Sequence, residues 1–315
     1  MKELNHLHHI TLCVGDAQED YDFHTQVLGL RSVKKTLLYD GQVPIYHLYY
    51  GNADGAPGSI VTTFAMRHTG IKGRQGTNQI RTLMLAIPEG SSSFWLNRLR
   101  QHGFDVTEGE RFGEKRLSFV HPHGIPYVLV ETAAAGRHAF DGADVPQDAG
   151  IYGMHGIEVN VRDTDVMDDF LTMAWSSDKV ADEAAAARYQ MGKGGSSTHI
   201  DIVKDSDSQQ ASWTFGEGIV HHCAFDIASL EKQDAYKLFV EGLGYTDFSD
   251  RKDRGYFDSI YVRTPGGALF EAAVTKPKAW AEDEAPERIG EDIMVSPQFE
   301  NKKEEIIAML GPIRY

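Results

Sequence analysis

Short stretches in which apolar and polar residues alternate recur along the chain, and they return in one order. The first, Leu7-His8-His9-Ile10-Thr11-Leu12-Cys13-Val14, places His9, Thr11 and Cys13 on one face of a strand and Ile10, Leu12 and Val14 on the other. Gly15-Asp16 then turns into a helix over 17–28, with Phe23 and Val27 on one face and Gly29 as its stop. Strands over 30–38, 45–50 and 59–64 follow, separated by Asp40-Gly41 and by the glycine-rich stretch 51–58. The unit is strand, helix, three strands.

The same order returns with a strand over 83–87, a helix over 93–101 and strands over 104–108, 117–121 and 127–131. A third copy opens with a strand over 154–159, has a helix over 166–175 and ends with a strand over 199–203; its middle, 182–187, is atypical. The fourth opens at Val220-His221-His222-Cys223-Ala224-Phe225-Asp226-Ile227, has a helix over 230–243 and finishes with strands over 255–263 and 268–274. Repetition at about seventy residues is a repeat architecture. The pattern predicts an α+β fold of four βαβββ modules. The stretch 133–150 is rich in Ala, Gly, Asp and Pro and reads as a linker between a first half, 1–132, and a second, 151–275. A tail over 276–315 carries a short amphipathic helix over 301–310, and either covers a site or packs on the surface.

Composition narrows the classes. With 315 residues and 41% hydrophobic positions the chain can bury packed cores. A formal net charge of -15 argues against nucleic acid and anionic membrane surfaces as partners. The start lacks the apolar core of a signal peptide and no run is long enough to span a bilayer, so a cytoplasmic protein is expected. Cys13 and Cys223 are the two cysteines and are expected as free thiols. Gly192-Lys193-Gly194-Gly195-Ser196 lacks the spacing of a phosphate loop and reads as a turn.

Register selects candidate ligands. His9 lies seven residues before Asp16, and the equivalent positions are Thr82, Gly156 and His222, so copies one and four alone carry a histidine there. His155 falls at the position of His8 and His221, on the opposite alternation phase. In the last strand of copy four, Glu271 lies four residues after Gly267; its equivalents are Thr62, Val128 and His199. A carboxylate in the apolar run Ala268-Leu269-Phe270 is costly to bury unless it is paired or binds a metal. A single strand histidine is usually a hydrogen-bonded structural residue, and His24, His47, His68, His102 and His121 are read so, as structural or surface residues. His9, His222 and Glu271 differ because they recur in register, and they form a two-histidine, one-carboxylate set that leaves positions open on non-haem Fe(II).

On these residues the chain resembles the vicinal oxygen chelate superfamily, and within it the hydroquinone ring-cleaving dioxygenases of the dichlorohydroquinone dioxygenase type. The resemblance also rests on Lys35-Thr36-Leu37-Leu38-Tyr39-Asp40-Gly41, Pro44-Ile45-Tyr46-His47-Leu48-Tyr49, Gly216-Glu217-Gly218-Ile219-Val220-His221-His222, Phe248-Ser249-Asp250-Arg251-Lys252, Arg254-Gly255-Tyr256-Phe257, Tyr261-Val262-Arg263-Thr264-Pro265-Gly266-Gly267 and Val295-Ser296-Pro297-Gln298-Phe299. It implies modules paired into cupped mixed sheets, glyoxalase/extradiol dioxygenase-like, with copies one and four around the metal and copies two and three forming a metal-free pair. It implies Fe(II), with Mn(II) as an alternative, held by His9, His222 and Glu271, and O2 as co-substrate.

The family's outer positions match His8, Thr11, His221, Arg254 and Tyr261. The resemblance gives His221 or His8 a proton-transfer role, Arg254 the stabilisation of a developing anion, and Tyr261 and Thr11 hydrogen bonds. Without it, Arg254 is a member of a solvated charge cluster, Tyr261 a packing residue and Thr11 a locally bonded hydroxyl. Val128 departs from the acid expected in copy two. The expected partner is a small aromatic diol, with self-association compatible with the sequence. The alternatives are a catechol extradiol dioxygenase, disfavoured by Gly156 in place of its usual histidine; a glyoxalase-like metal isomerase, disfavoured by Thr62 in place of a second glutamate; and a non-catalytic module binding an aromatic ligand.

Overall fold

The computed structural model describes residues 2–39, 41–133, 139–212, 214–277 and 284–314. Asp40 of the expected turn, positions 134–138 of the expected linker and positions 278–283 and 315 of the tail lie outside the described residues.

Module one comprises β1 (Leu4–Val14), α1 (Ala17–Asp22) continued by a π-helical turn (Phe23–Val27), β2 (Arg31–Leu38), β3 (Ile45–Gly51) and β4 (Ile60–Ala65). Asp16 caps the helix by accepting from the Gln18 and Glu19 amides, and Gly29, at φ +65°, takes the left-handed conformation that stops it. Module two comprises β5 (Gln79–Pro88), α2 (Ser92–Gln101), β6 (Thr107–Arg111), β7 (Glu114–Val120) and β8 (Pro126–Thr132). Module three has β9 (Gly153–Val161), α3 (Asp165–Asp169) with a π-helical turn (Phe170–Ala174), β10 (Ser177–Glu183), β11 (Ala186–Met191) and β12 (His199–Lys204). Its atypical middle is a hairpin turn with Ala184 at φ +49°. Module four has β13 (Ile219–Ile227), α4 (Leu230–Gly242), β14 (Lys252–Asp253), β15 (Phe257–Arg263) and β16 (Leu269–Thr275).

The modules combine into two mixed sheets. One runs β14-β15-β16-β13-β1-β4-β3-β2-β17, where β17 is the short strand Ile293–Met294, and the other runs β10-β11-β12-β9-β5-β8-β7-β6. Modules one and four therefore share the first sheet and modules two and three the second, with antiparallel seams at β1–β13 and β5–β9. Each sheet draws on both sides of the 133–150 stretch. Helix residues Phe23, Trp95, Phe170 and Tyr236, with Trp175 just after the turn of module three, pack with the strands into the main core. A smaller cluster of Val33, Tyr49, Ile60, Ala224, Phe257 and Ala273 floors the first cup.

The tail lies along the first sheet. β17 pairs with Lys35 and Thr36 of β2, covering an otherwise open edge, and Ile289 packs on the apolar floor of the cup. Glu284 is buried in an ion pair with Lys34. The helix expected over 301–310 is shorter, α5 (Lys303–Ile307), preceded by a 3-10 stretch from Pro297 to Lys302. No helix among the described residues is long and apolar enough to cross a membrane, and Cys13 and Cys223 are buried free thiols.

Candidate metal centre

Strand register brings the three expected ligands together. His9 on β1 pairs with Ala224 on β13, Ala224 pairs with Glu271 on β16, and Glu271 pairs with Tyr261 on β15, so the four form one row across the sheet. Residues paired across a sheet share a face, and the small Ala224 leaves room for the side chains on either side of it. His222 enters from the next row, paired with Thr11. His222 Nε2 lies 2.9 Å from Glu271 Oε2, His9 Nε2 lies 3.8 Å from the same oxygen, and the two imidazole nitrogens are 3.3 Å apart.

This donor set fits a divalent ion. Adjacent ligands at about 2.1 Å from an octahedral centre stand about 3 Å apart, close to these separations. Glu271 is fully buried; its Oε1 accepts from the Ser259 hydroxyl at 2.5 Å, while Oε2 has no well-formed hydrogen bond. A buried carboxylate oxygen facing two imidazole nitrogens is expensive unless a cation completes it.

The alternation expected for β1 does not hold at His8. The registers pass from Leu7↔Phe225 to His9↔Ala224 and from Thr11↔His222 to Leu12↔Val220, so His8 on β1 and His221 on β13 are the extra residues of two β-bulges. Each bulge turns a consecutive histidine pair toward the same side. His8 Nδ1 lies 2.8 Å from His9 Nδ1, and His221 Nδ1 lies 2.8 Å from His222 Nδ1. With Nε2 of each ligand offering its lone pair, its Nδ1–H donates to the preceding histidine, which fixes ring and tautomer. His8 Nε2 is engaged by Thr275 Oγ1 at 2.8 Å, so both its nitrogens are hydrogen-bonded. His221 instead stacks on Phe215 with ring centres 3.8 Å apart.

Burial keeps these rings neutral, the form that binds metals. It pushes His8 down to about 4, and, with Arg254 adding to it, His222 down to about 3; His9 and His221 lie well below the usual histidine range for the same reason. Tyr261 is raised, by burial first and Glu271 next, so its hydroxyl stays protonated. Arg254 is exposed, and its Nε donates to the Tyr261 hydroxyl at 3.0 Å. Thr11 Oγ1 is 2.7 Å from Thr62 Oγ1 and 3.0 Å from His222 Nε2.

His47, expected from the sequence as a structural or surface residue, and Ser259, which no pattern singles out, both lie at the site. Phe64 pairs with both Cys13 and His47, which puts His47 on the face of Thr11, one row along. Its Nε2 is buried and unpartnered, its Nδ1 lies 3.1 Å from the Tyr49 hydroxyl, and desolvation of the ring and His222 push it well below the usual range. Alternation from Tyr49, two residues on, was the available signal.

The second cup lacks this set. Its equivalent positions are Thr82, Gly156 and Val128, and a Cβ at Gly156 would lie 2.5 Å from the backbone carbonyl oxygen of His199, so no imidazole fits there without a backbone shift. His155 is again a bulge residue, the registers passing from Met84↔Gly156 to Leu85↔Met154.

Residues 6–125 match the model of the Glyoxalase/Bleomycin resistance protein/Dioxygenase superfamily. The chain is 44% identical over 308 residues to a "Chlorohydroquinone/hydroquinone 1,2-dioxygenase" of Sphingobium indicum, covering 97% of this chain and 95% of that one. The chain belongs to the ring-cleaving dioxygenases of this superfamily. It is an oxidoreductase that uses O2. The "Putative ring-cleaving dioxygenase MhqO" of Bacillus subtilis is 34% identical, with 97% of this chain and 96% of that one covered. A crystal structure of a "putative dioxygenase" from Bacillus subtilis superposes with a TM-score of 0.90 at 33% identity, over 100% of this chain and 99% of that one.

Proposed function

We propose that the enzyme is a non-haem Fe(II)-dependent dioxygenase that opens a hydroquinone ring beside a hydroxyl group. The buried, half-partnered Glu271 between His9 and His222 carries this reading, because two imidazoles and one carboxylate on one side of an ion leave its remaining positions free. The hydroquinone named for the Sphingobium relative supports the substrate class. Fe(II) held there would supply adjacent positions for the diol and for O2.

The protein's own groups do the rest. Tyr261 accepts from Arg254 and keeps a proton that it can offer to Glu271 or to a substrate oxygen, while the guanidinium offsets the negative charge of an ionised hydroxyl. Thr11, next to His222 Nε2, supplies a second hydroxyl at the same point. A para-diol needs a second anchor across the ring, and His47 Nε2 is the buried polar atom without a partner one row away. Its other nitrogen is tied to Tyr49, so it meets the far hydroxyl in a fixed orientation. Phe64 and Phe257 flank the histidines and exclude water from the ring.

Anaerobic loading with Fe(II), followed by O2 uptake with hydroquinone, methylhydroquinone, chlorinated hydroquinones and catechol, tests the reading. Uptake is expected with para-diols and is abolished by Glu271→Gln together with iron binding. Stoichiometric iron with no uptake for any para-diol refutes it.

A further inference from the structure

Two other groups of metal-ligating side chains occur among the described residues, and they differ in what their polar atoms do. Asp20, His24 and His121 form a closed network. Asp20 accepts from Tyr50, Thr63 and His121; His24 reaches the Asp20 carbonyl and the Tyr127 hydroxyl; His121 Nδ1 accepts from the His123 amide. Both nitrogens of each imidazole are engaged, so neither histidine has a lone pair left for an ion. Glu114, His155 and His199, in the second cup, are different: their ligand atoms lie within 4.8 Å of one another, and His155 Nε2 and His199 Nδ1 are buried without a well-formed hydrogen bond.

We propose that the second cup holds a divalent transition-metal ion, of the Zn(II) class, between Glu114, His155 and His199. His155 Nε2 is 3.0 Å from Glu114 Oε1, and the two imidazoles face each other with centres 4.6 Å apart. His155 and His199 are 1% and 7% exposed, whereas the Glu114 side chain is 21% exposed and gives solvent access to a fourth position.

Charge does not forbid the ion. Arg188 binds the second oxygen of Glu114 and both oxygens of Asp201, Arg116 bridges Asp201 and Glu158, and Arg111 also meets Glu158. Three arginines thus face three carboxylates, and the cup is neutral before the ion binds, as Arg254 and Glu271 leave the first site. The site is not a copy of the first: His155 occupies the bulge position of His221, His199 the register position of Glu271, and Glu114 comes from β7. It contradicts the metal-free pair that the family resemblance implied. Because Glu114 belongs to module two and both histidines to module three, the ion would tie the second sheet across its seam, and binding to the folded state alone would stabilise it.

Metal-stripped full-length protein dialysed against Zn(II) and counted by elemental mass spectrometry tests the proposal. Two equivalents are expected for the wild type, one each for His199→Gln and Glu271→Gln, and none for the double variant. Zn(II) should raise the melting temperature of Glu271→Gln and leave the double variant unmoved. Two equivalents retained by His199→Gln, or a single wild-type equivalent lost in Glu271→Gln and kept in His199→Gln, overturns the second site. One wild-type equivalent lost only in His199→Gln supports the second site and counts against metal binding at the first. Should His199→Gln lose its native circular dichroism, Glu114→Gln carries the same expectations.

Discussion

Ser259→Ala isolates the support of the carboxylate ligand without touching the ligand itself. Ser259 is fully buried on β15, and its hydroxyl donates to Glu271 Oε1 at 2.5 Å, leaving Oε2 to face the histidines. A hydrogen bond to a charged group contributes roughly 1.5–3 kcal/mol. At about 1.4 kcal/mol per tenfold, that is a loss of about 10- to 150-fold in metal affinity, the scale typical of an orienting partner removed from behind a metal ligand. The assay is chelator competition for Fe(II) or Co(II), read as Kd, with turnover measured at limiting and at saturating iron. Turnover should fall at limiting iron and largely recover at saturation, because the ligand is loosened and not lost. A Kd within twofold of wild type would refute the idea that Ser259 sets the carboxylate for the ion.

Other outcomes follow from the same geometry. His47→Phe keeps a flat ring beside Phe64 and removes the unpartnered nitrogen, so KM for hydroquinone should rise about tenfold, on the scale of one neutral hydrogen bond, with iron binding unchanged; an unaltered KM rejects the second anchor. Burial holds His121 at about 4, below its ordinary 6.5, so the unfolded chain takes up the proton first. Stability from this group is therefore complete above pH 6.5 and is lost as pH falls toward 4, by up to about 3 kcal/mol; a urea midpoint of the metal-free protein that is equal at pH 7.5 and pH 5 would contradict it. Lys34→Met leaves the Glu284 carboxylate buried without its cation, at a cost of about 3 kcal/mol. The tail should then be clipped faster in limited proteolysis, and a wild-type cleavage rate would show that the ion pair does not hold it.

Much of the architecture was legible because repetition is independent of local errors. Strand boundaries could move by a residue or two and the order of strand, helix and three strands still returned four times. Glu271 was legible for an energetic reason: a carboxylate inside an apolar strand has few affordable partners. The bulges were not, since one extra residue leaves no mark on composition and reverses the phase of all that follows. That is why His8 was assigned the face opposite His9, and why His155 looked merely out of phase. His47 was missed for a different reason: its unpartnered nitrogen is a property of packing, and in the sequence it is one strand histidine among several. The linking of modules across the 133–150 stretch followed from the family resemblance, because spacing alone allows adjacent modules to pair with each other.

The seam between β1 and β13 also governs when the site can come into being. His9 and His222 are 213 positions apart, and Glu271 is more distant still. During synthesis at about 5–20 residues per second, β1 waits roughly ten seconds or more for the strand that completes its sheet, with a hydrophobic edge unsatisfied. Such non-local pairing is slow, because the entropy of closing a long loop is lost before any contact forms. The second sheet, whose seam joins β5 to β9, closes a shorter loop and can form first as a platform. Metal acquisition at the proposed site would thereby be a late event coupled to the last quarter of the chain, and a truncated or stalled product would carry His9 without the partners needed to hold an ion there.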